Sequence, residues 1–190
     1  AAAAPLPAAM LLDGLAVRLV APSGEERRLT AAEALAALAR APHLVCHAPY
    51  LVRRLAMIAD QGAGGARGAL QAGHLDLAEL FAFVAPAVAA TPTPEGLARA
   101  IGERFGPGDP LILQKLAQAL LSRLGRDDRY RREAAEMTQM LHAARWPWAP
   151  LASARFEAAG QSRAAFATGL NVWDRLPEWE EEGQRPPGTH

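Results

Sequence analysis

One cysteine, Cys46, and one lysine, Lys115, are among the scarcest resources of this chain. A lone thiol excludes an internal disulfide, a thiolate zinc site and a four-cysteine iron–sulfur cluster within the segment, and it fits a reducing cytoplasm. No lysine follows the glycines of Gly62 to Gly68, so that stretch is not a phosphate loop, whose amides need a lysine to reach the terminal phosphates. Neither sign of charge is in excess: 20 Lys+Arg balance 20 Asp+Glu, so no global field draws the chain to a polyanion. Ser23, Ser122, Ser153 and Ser162 all lack the Gly-x-Ser-x-Gly frame of a nucleophile elbow. No apolar run approaches the roughly 20 residues that a membrane helix needs. Ala1 to Met10 is apolar, but without a charged leading region and with Pro5 and Pro7 it reads as a loose arm rather than a signal peptide.

What is present is a chain of 190 residues, enough to bury one core. Leu15 to Val20, a break at Pro22-Ser23-Gly24, and Glu25 to Leu29 read as a β-hairpin. Thr30-Ala31-Ala32-Glu33 has the form of a capping box, opening a helix that Pro42 stops near Ala41. His43 to His47 reads as a short strand, and Pro49 opens a second helix running to about Ala59. Gln61 to Gly73 holds five glycines among small residues and reads as a loop, because little in it offsets the entropy of ordering. Leu75 to Val84 is a short strand followed by a helix, or a helix alone, and Pro86 to Thr93 is a turn. Thr93-Pro94 caps a helix ending at Gly102, and Asp109-Pro110 caps a longer one. In the latter, Leu113, Leu116, Ala117, Leu120, Leu121 and Leu124 recur at helical spacing before Gly125. Tyr130 to Ala144 repeats the pattern up to Trp146-Pro147-Trp148, and shorter helical pieces follow from Pro150 and Ser162.

The resulting expectation is an α/β fold, a small mixed sheet flanked by helices with a helical C-terminal extension. The expected organisation is a flexible arm over 1–13, an α/β domain over 14–126, a helical extension over 127–176, and a linker over 177–190 toward a downstream region.

Several constellations are weighed against simpler roles. His43, Cys46 and His47 are close in sequence, yet on a strand the two imidazoles point away from the thiol, which favours a buried strand over a metal site. Arg123, Arg126, Arg129, Arg131 and Arg132 form the densest basic stretch, interrupted by Asp127 and Asp128. If DNA is bound, Arg126, Arg129 and Arg132 are expected to touch it, because that spacing can share one side of a helix. Trp146, Trp148, Trp173 and Trp179 could stack on bases, but packing of the helical extension is the simpler role.

The string His43-Leu-Val-Cys-His47-Ala-Pro-Tyr-Leu-Val52, then His74-Leu-Asp76-Leu-Ala-Glu79-Leu80, then Pro94-Glu-Gly-Leu-Ala-Arg-Ala-Ile-Gly102, resembles the middle of a DnaQ-like exonuclease. The resemblance implies a ribonuclease-H-like fold, with His47 matching the histidine of one family motif and Asp76 the structural aspartate of another. Such exonucleases hold two magnesium ions with four carboxylates and activate water with a histidine or tyrosine. This chain departs from them at each ligand. Its opening strand, placed at Leu15 to Val20, has no acid, and Asp13-Gly14-Leu15 supplies one at most. Ala48 and Val52 replace the asparagine and metal-binding aspartate of the second motif, and Pro110 to Leu124 contains no acid. Two divalent cations above so apolar a floor would be electrostatically untenable.

Degenerate domains of this kind resemble the N-terminal segment of bacterial DinG-type ATP-dependent DNA helicases, on Asp76 to Pro86, Pro92 to Ala98, Arg145-Trp-Pro-Trp-Ala-Pro-Leu151 and Leu176-Pro-Glu-Trp-Glu-Glu181. The resemblance implies a non-catalytic, exonuclease-like domain without catalytic residues, metal or cofactor of its own. It would serve a cytoplasmic repair helicase as a DNA-guiding or protein-docking arm, with single-stranded or forked DNA and a downstream motor as partners. The alternatives are a divergent metal-dependent 3'-5' exonuclease with weak activity through Asp13 or Asp76, and a free-standing interaction module.

Overall fold

A computed structural model describes residues 5–61, 63–106, 108–124 and 131–158. The chain opens with β1 (Ala9–Asp13), β2 (Ala16–Val20) and β3 (Glu26–Leu29). It continues through α1 (Ala31–Arg40), β4 (Leu44–Val45), α2 (Ala48–Ile58), α3 (Ala63–Gln71), β5 (Leu75–Asp76) and α4 (Leu77–Val84). The remaining described elements are helices: α5 (Pro94–Ala100), α6 (Ile112–Leu124), α7 (Arg131–Ala143) and α8 (Ala149–Ala158).

The strands form one sheet in the order β3-β2-β1-β4-β5. β2 is antiparallel to both β1 and β3, while β1, β4 and β5 run parallel. This is the expected α/β fold with a ribonuclease-H-like mixed sheet. A two-residue turn joins β1 to β2, Asp13 pairing with Ala16, and Gly14 at φ +63° supplies the left-handed backbone that such a turn needs.

Alternation along the strands divides the apolar residues between two cores. Met10, Val17, Leu29 and Val45 face α1, α2 and α3, where Leu35, Leu38, Val52 and Leu55 are buried. Ala9, Leu11, Val20 and Leu44 face the other way, into a cluster with Leu80, Leu97, Leu116 and Leu120. Ala134, Trp148, Leu151 and Phe156 complete that second cluster, so the described part of the helical extension shares the core of the sheet. Among the described residues, no helix is long and apolar enough to cross a membrane.

Three segments differ from the sequence-based expectation. Residues 9–13, read as the end of an arm, are β1 at the centre of the sheet, and the opening strand is therefore β1 rather than Leu15 to Val20. A central strand is buried on both faces and lacks alternation, and Ala9-Met-Leu-Leu has too little β propensity to announce itself. The glycine-rich loop is in fact α3 over most of its length. Gly68 and Ala69 explain why: a Cβ on Gly68 would lie 3.6 Å from that of Ala39, and Ala69 is fully buried, so tertiary packing against α1 offsets poor propensity. Finally, β4 is only two residues long, because His47 turns into the left-handed region at φ 57° and starts α2. The helical piece expected from Ser162 and the linker over 177–190 lie outside the described residues.

Candidate functional site

The chain leaves β1 toward β2 and β3 on one side, and β4 and β5 lie on the other. Between β1 and β4 the strand order reverses, and in open α/β sheets a crevice forms outside the carboxyl ends of the strands at such a point. A cleft of about 570 Å³ occupies that position, lined by Leu12, Asp13, Arg18 and Cys46 from the sheet side. Tyr50 and Arg54 from α2, Glu95 from α5 and Asp109 before α6 close its other walls.

Each polar group arrives by a local cause. Asp13 is exposed at the last position of β1. Arg18 lies across the ladder from Leu11 on the same face, its guanidinium 3.6 Å from Glu26, and its Nε is buried without a partner. Tyr50 and Arg54 are one helical turn apart on α2, and the Tyr50 ring is 59% exposed. It lies nearly parallel to the His47 imidazole, with ring centres 6.1 Å apart. Asp109 accepts the Leu111 N–H at 2.9 Å and also binds the Lys115 ammonium. The Lys115 bond, then the amide, hold its carboxyl below the usual carboxylate range. Cys46 has the opposite fate. Burial, reinforced by the Asp76 and Glu95 charges, pushes its thiol up to about 12, so it is a neutral donor to the Pro92 carbonyl at 3.6 Å rather than a nucleophile.

Behind the cleft, Asp76 ends β5 and is 3% exposed. One carboxylate oxygen, Oδ1, accepts the N–H of His47 at 2.7 Å and of Ala78 at 2.9 Å, and Oδ2 accepts the N–H of Ala48 at 2.6 Å. A single side chain thus caps α4 and satisfies two orphan amides at the start of α2, tying β5, α2 and α4 together. The Asp76 carbonyl accepts the Nε1–H of fully buried Trp148 at 2.8 Å. Trp146 donates to Glu79 at 3.3 Å and packs on Phe83 with ring centres 5.0 Å apart. Burial and then the Asp76 charge raise the Glu79 carboxyl above its ordinary range. Trp146 and Trp148 pack the helical extension onto the domain, the simpler of the two roles open to them.

The described residues do not fit two magnesium ions. Both Asp76 oxygens are already held by backbone amides. Val52, where the resemblance puts a metal-binding aspartate, is fully buried against α1 and α3 and does not line the cleft. Among the described residues, no three His, Cys, Asp or Glu side chains converge as a ligand set. His43, Cys46 and His47 are also separated: His43 donates from Nδ1 to the Ala41 carbonyl at 2.8 Å, while His47 faces Tyr50. His74 is buried, its Nε2–H donated to the Ala69 carbonyl at 2.6 Å and its Nδ1 accepting the His43 N–H at 3.1 Å. Desolvation lowers its pKa below the ordinary imidazole value, the Ala69 bond opposing.

Arg126 and Arg129 lie outside the described residues, and Arg132 is placed only as a residue of α7. The cleft residues Arg18, Tyr50 and Arg54 were not singled out by sequence. Tyr50 and Arg54 carried a signal, an aromatic and a cation one turn apart on a helix, whereas Arg18 looked like any polar position on a hairpin. The arrangement can bind by stacking on Tyr50 and by an Arg54 contact; Asp109 and the Cys46 thiol are committed to bonds within the fold, while Asp13 and Glu95 also line the cleft. Comparison with family models, with curated proteins and with solved structures yields no match to this chain.

Proposed function

We propose that this chain is a non-catalytic, degenerate DnaQ-like domain that serves a cytoplasmic bacterial ATP-dependent DNA helicase as a DNA-guiding arm. The observation that supports the reading is the loss of a ligand position: Val52, where the resemblance puts a metal-binding aspartate, is apolar and buried, and Asp76, behind the cleft, is spent on three backbone amides. Tyr50 and Arg54 are the cleft groups suited to a single strand. The exposed Tyr50 side chain offers a face on which a base can stack, and Arg54, one turn along α2, offers a cation to a phosphate. Arg126, Arg129 and Arg132 are expected to contribute to binding if DNA is bound.

Fluorescence anisotropy with a labelled oligothymidylate, alone and as the tail of a fork, tests the guiding role. Tyr50→Ala and Arg54→Glu are expected each to weaken binding about tenfold, as stacking and phosphate contacts typically do. Charge reversal at Arg126, Arg129 and Arg132 together is expected to reduce the salt slope. Unchanged affinity and slope in all these variants would remove the DNA-guiding role. Manganese titration by calorimetry tests the other half: saturable binding of two ions, lost in Asp13→Asn, would establish the divergent exonuclease instead.

A further inference from the structure

α2 has a second flank. Beside the one that meets the cleft, a groove of about 470 Å³ lies between α2 and α3, with Ala66 at its surface and the buried Val52 and Ala56 beneath it. Met57 and Leu70 stand on its facing walls, 66% and 46% exposed. Single exposed apolar side chains are ordinary, but two large ones across one apolar groove make a contiguous patch. Each has an exposed arginine one turn before it on its own helix, Arg53 before Met57 and Arg67 before Leu70. The described residues give neither arginine an ion pair, and Asp60 is the one acid lining the groove.

We propose that this groove docks an amphipathic helix of a partner protein, with apolar anchors at helical spacing and acidic residues flanking them. An apolar floor between two helices takes side chains at i, i+3 or i+4, and i+7 of a third helix. α2 is 11 residues long, so its wall runs about 16 Å at 1.5 Å per residue, room for roughly three turns of partner. Arg53 on the groove and exposed Arg67 beside it, against Asp60 alone, select acid against base in that partner. The same arginines disfavour a second copy of this chain, since self-pairing would bring like charges together across the groove. A nucleic acid is disfavoured too, because no aromatic ring lines the groove for bases to stack on. α3 adds a consequence: with glycine at positions 64, 65 and 68 its own helical preference is weak, and an occupant packed on Leu70 and Ala66 would steady it. The proposal stands apart from the reading of the cleft, whose Tyr50 and Arg54 it does not use.

Selection from a random displayed-peptide library on the immobilised 190-residue chain tests it. Enriched peptides are expected to be acidic with apolar residues at helical spacing. Binding of a labelled winner should fall about tenfold or more in Met57→Glu and in Arg53→Glu, typical of anchor positions. Both sites are exposed, so circular dichroism of the variants should match the parent. Bound peptide should also slow hydrogen exchange across 63–71. Absence of enrichment, basic winners, or winners indifferent to both substitutions would overturn the proposal. So would loss of oligothymidylate binding in these two variants, which would mark the groove as a nucleic-acid surface.

Discussion

Asparagine at position 76 keeps the shape of the aspartate but removes its charge and turns one of its two acceptors into a donor. Three backbone N–H groups now converge on that carboxylate at 2.6 to 2.9 Å, in a site 3% exposed. Bonds to a charged acceptor contribute about 1.5–3 kcal/mol each, and a buried donor left unpaired costs about 1–3 kcal/mol. Asp76→Asn loses at least one bond outright and the charge assistance of the rest, which sums to about 3 kcal/mol. With a urea slope of about 2 kcal/mol/M, the unfolding midpoint should fall by about 1.5 M. Asp13→Asn is the control, because its side chain is exposed at the end of β1 and such surface changes stay within about 0.5 kcal/mol. Urea titration followed by far-ultraviolet circular dichroism compares the two. Equal midpoints for Asp76→Asn, Asp13→Asn and the parent would refute the bracing role of Asp76 and reopen its use as a metal ligand.

Other consequences are equally specific. His74 is depressed by burial, so the unfolded chain binds its proton more readily than the native one. Its contribution is therefore complete above the ordinary imidazole value of 6.5 and is lost as pH falls below it through the depressed native value. Urea midpoints measured from pH 7.5 to pH 5 should decline, and the decline should flatten in His74→Gln; an unaltered slope in that variant would assign the effect elsewhere. Two glycine replacements should move stability in opposite directions. Gly68→Ala gains helix propensity and meets Ala39 at an ordinary 3.6 Å, so thermal melting should show about 0.5–1 kcal/mol of added stability. A Cβ on Gly96 would lie 2.4 Å from the Thr91 carbonyl oxygen, so Gly96→Ala should lose about 1–3 kcal/mol although it too sits in a helix. A gain at both positions would show that propensity, not contact, governs them.

Local chemistry made part of this molecule legible in the sequence. The Thr30–Glu33 capping box forms as expected, with Glu33 Oε2 accepting the Thr30 N–H at 2.8 Å and Thr30 Oγ1 accepting the Glu33 N–H at 3.2 Å. Thr93 accepts the Gly96 N–H at 3.1 Å, Gly102 adopts φ +74°, and the leucine periodicity of α6 marks a buried face. Caps, turns and periodicity act over a few residues, so sequence order is enough to find them. The same holds for the arithmetic of one cysteine and one lysine, which excludes chemistries without any geometry.

Tertiary structure decided the rest, because it depends on which distant groups are brought together. β1 is a strand because β2 and β4 pair with it on both edges, and α3 is a helix because α1 leaves room for little beyond glycine and alanine beside it. Asp76 reads in sequence as a motif aspartate, yet its role is fixed by amides 28 and 29 positions away in the chain. Arg18, Tyr50 and Glu95 become one cleft only once the sheet reverses its order between β1 and β4. The sequence by itself determined where elements begin and end wherever a cap or a period was present. The fold determined what each charged side chain is for, since burial and partners, not identity, set whether a carboxylate braces, pairs or stays open to a ligand.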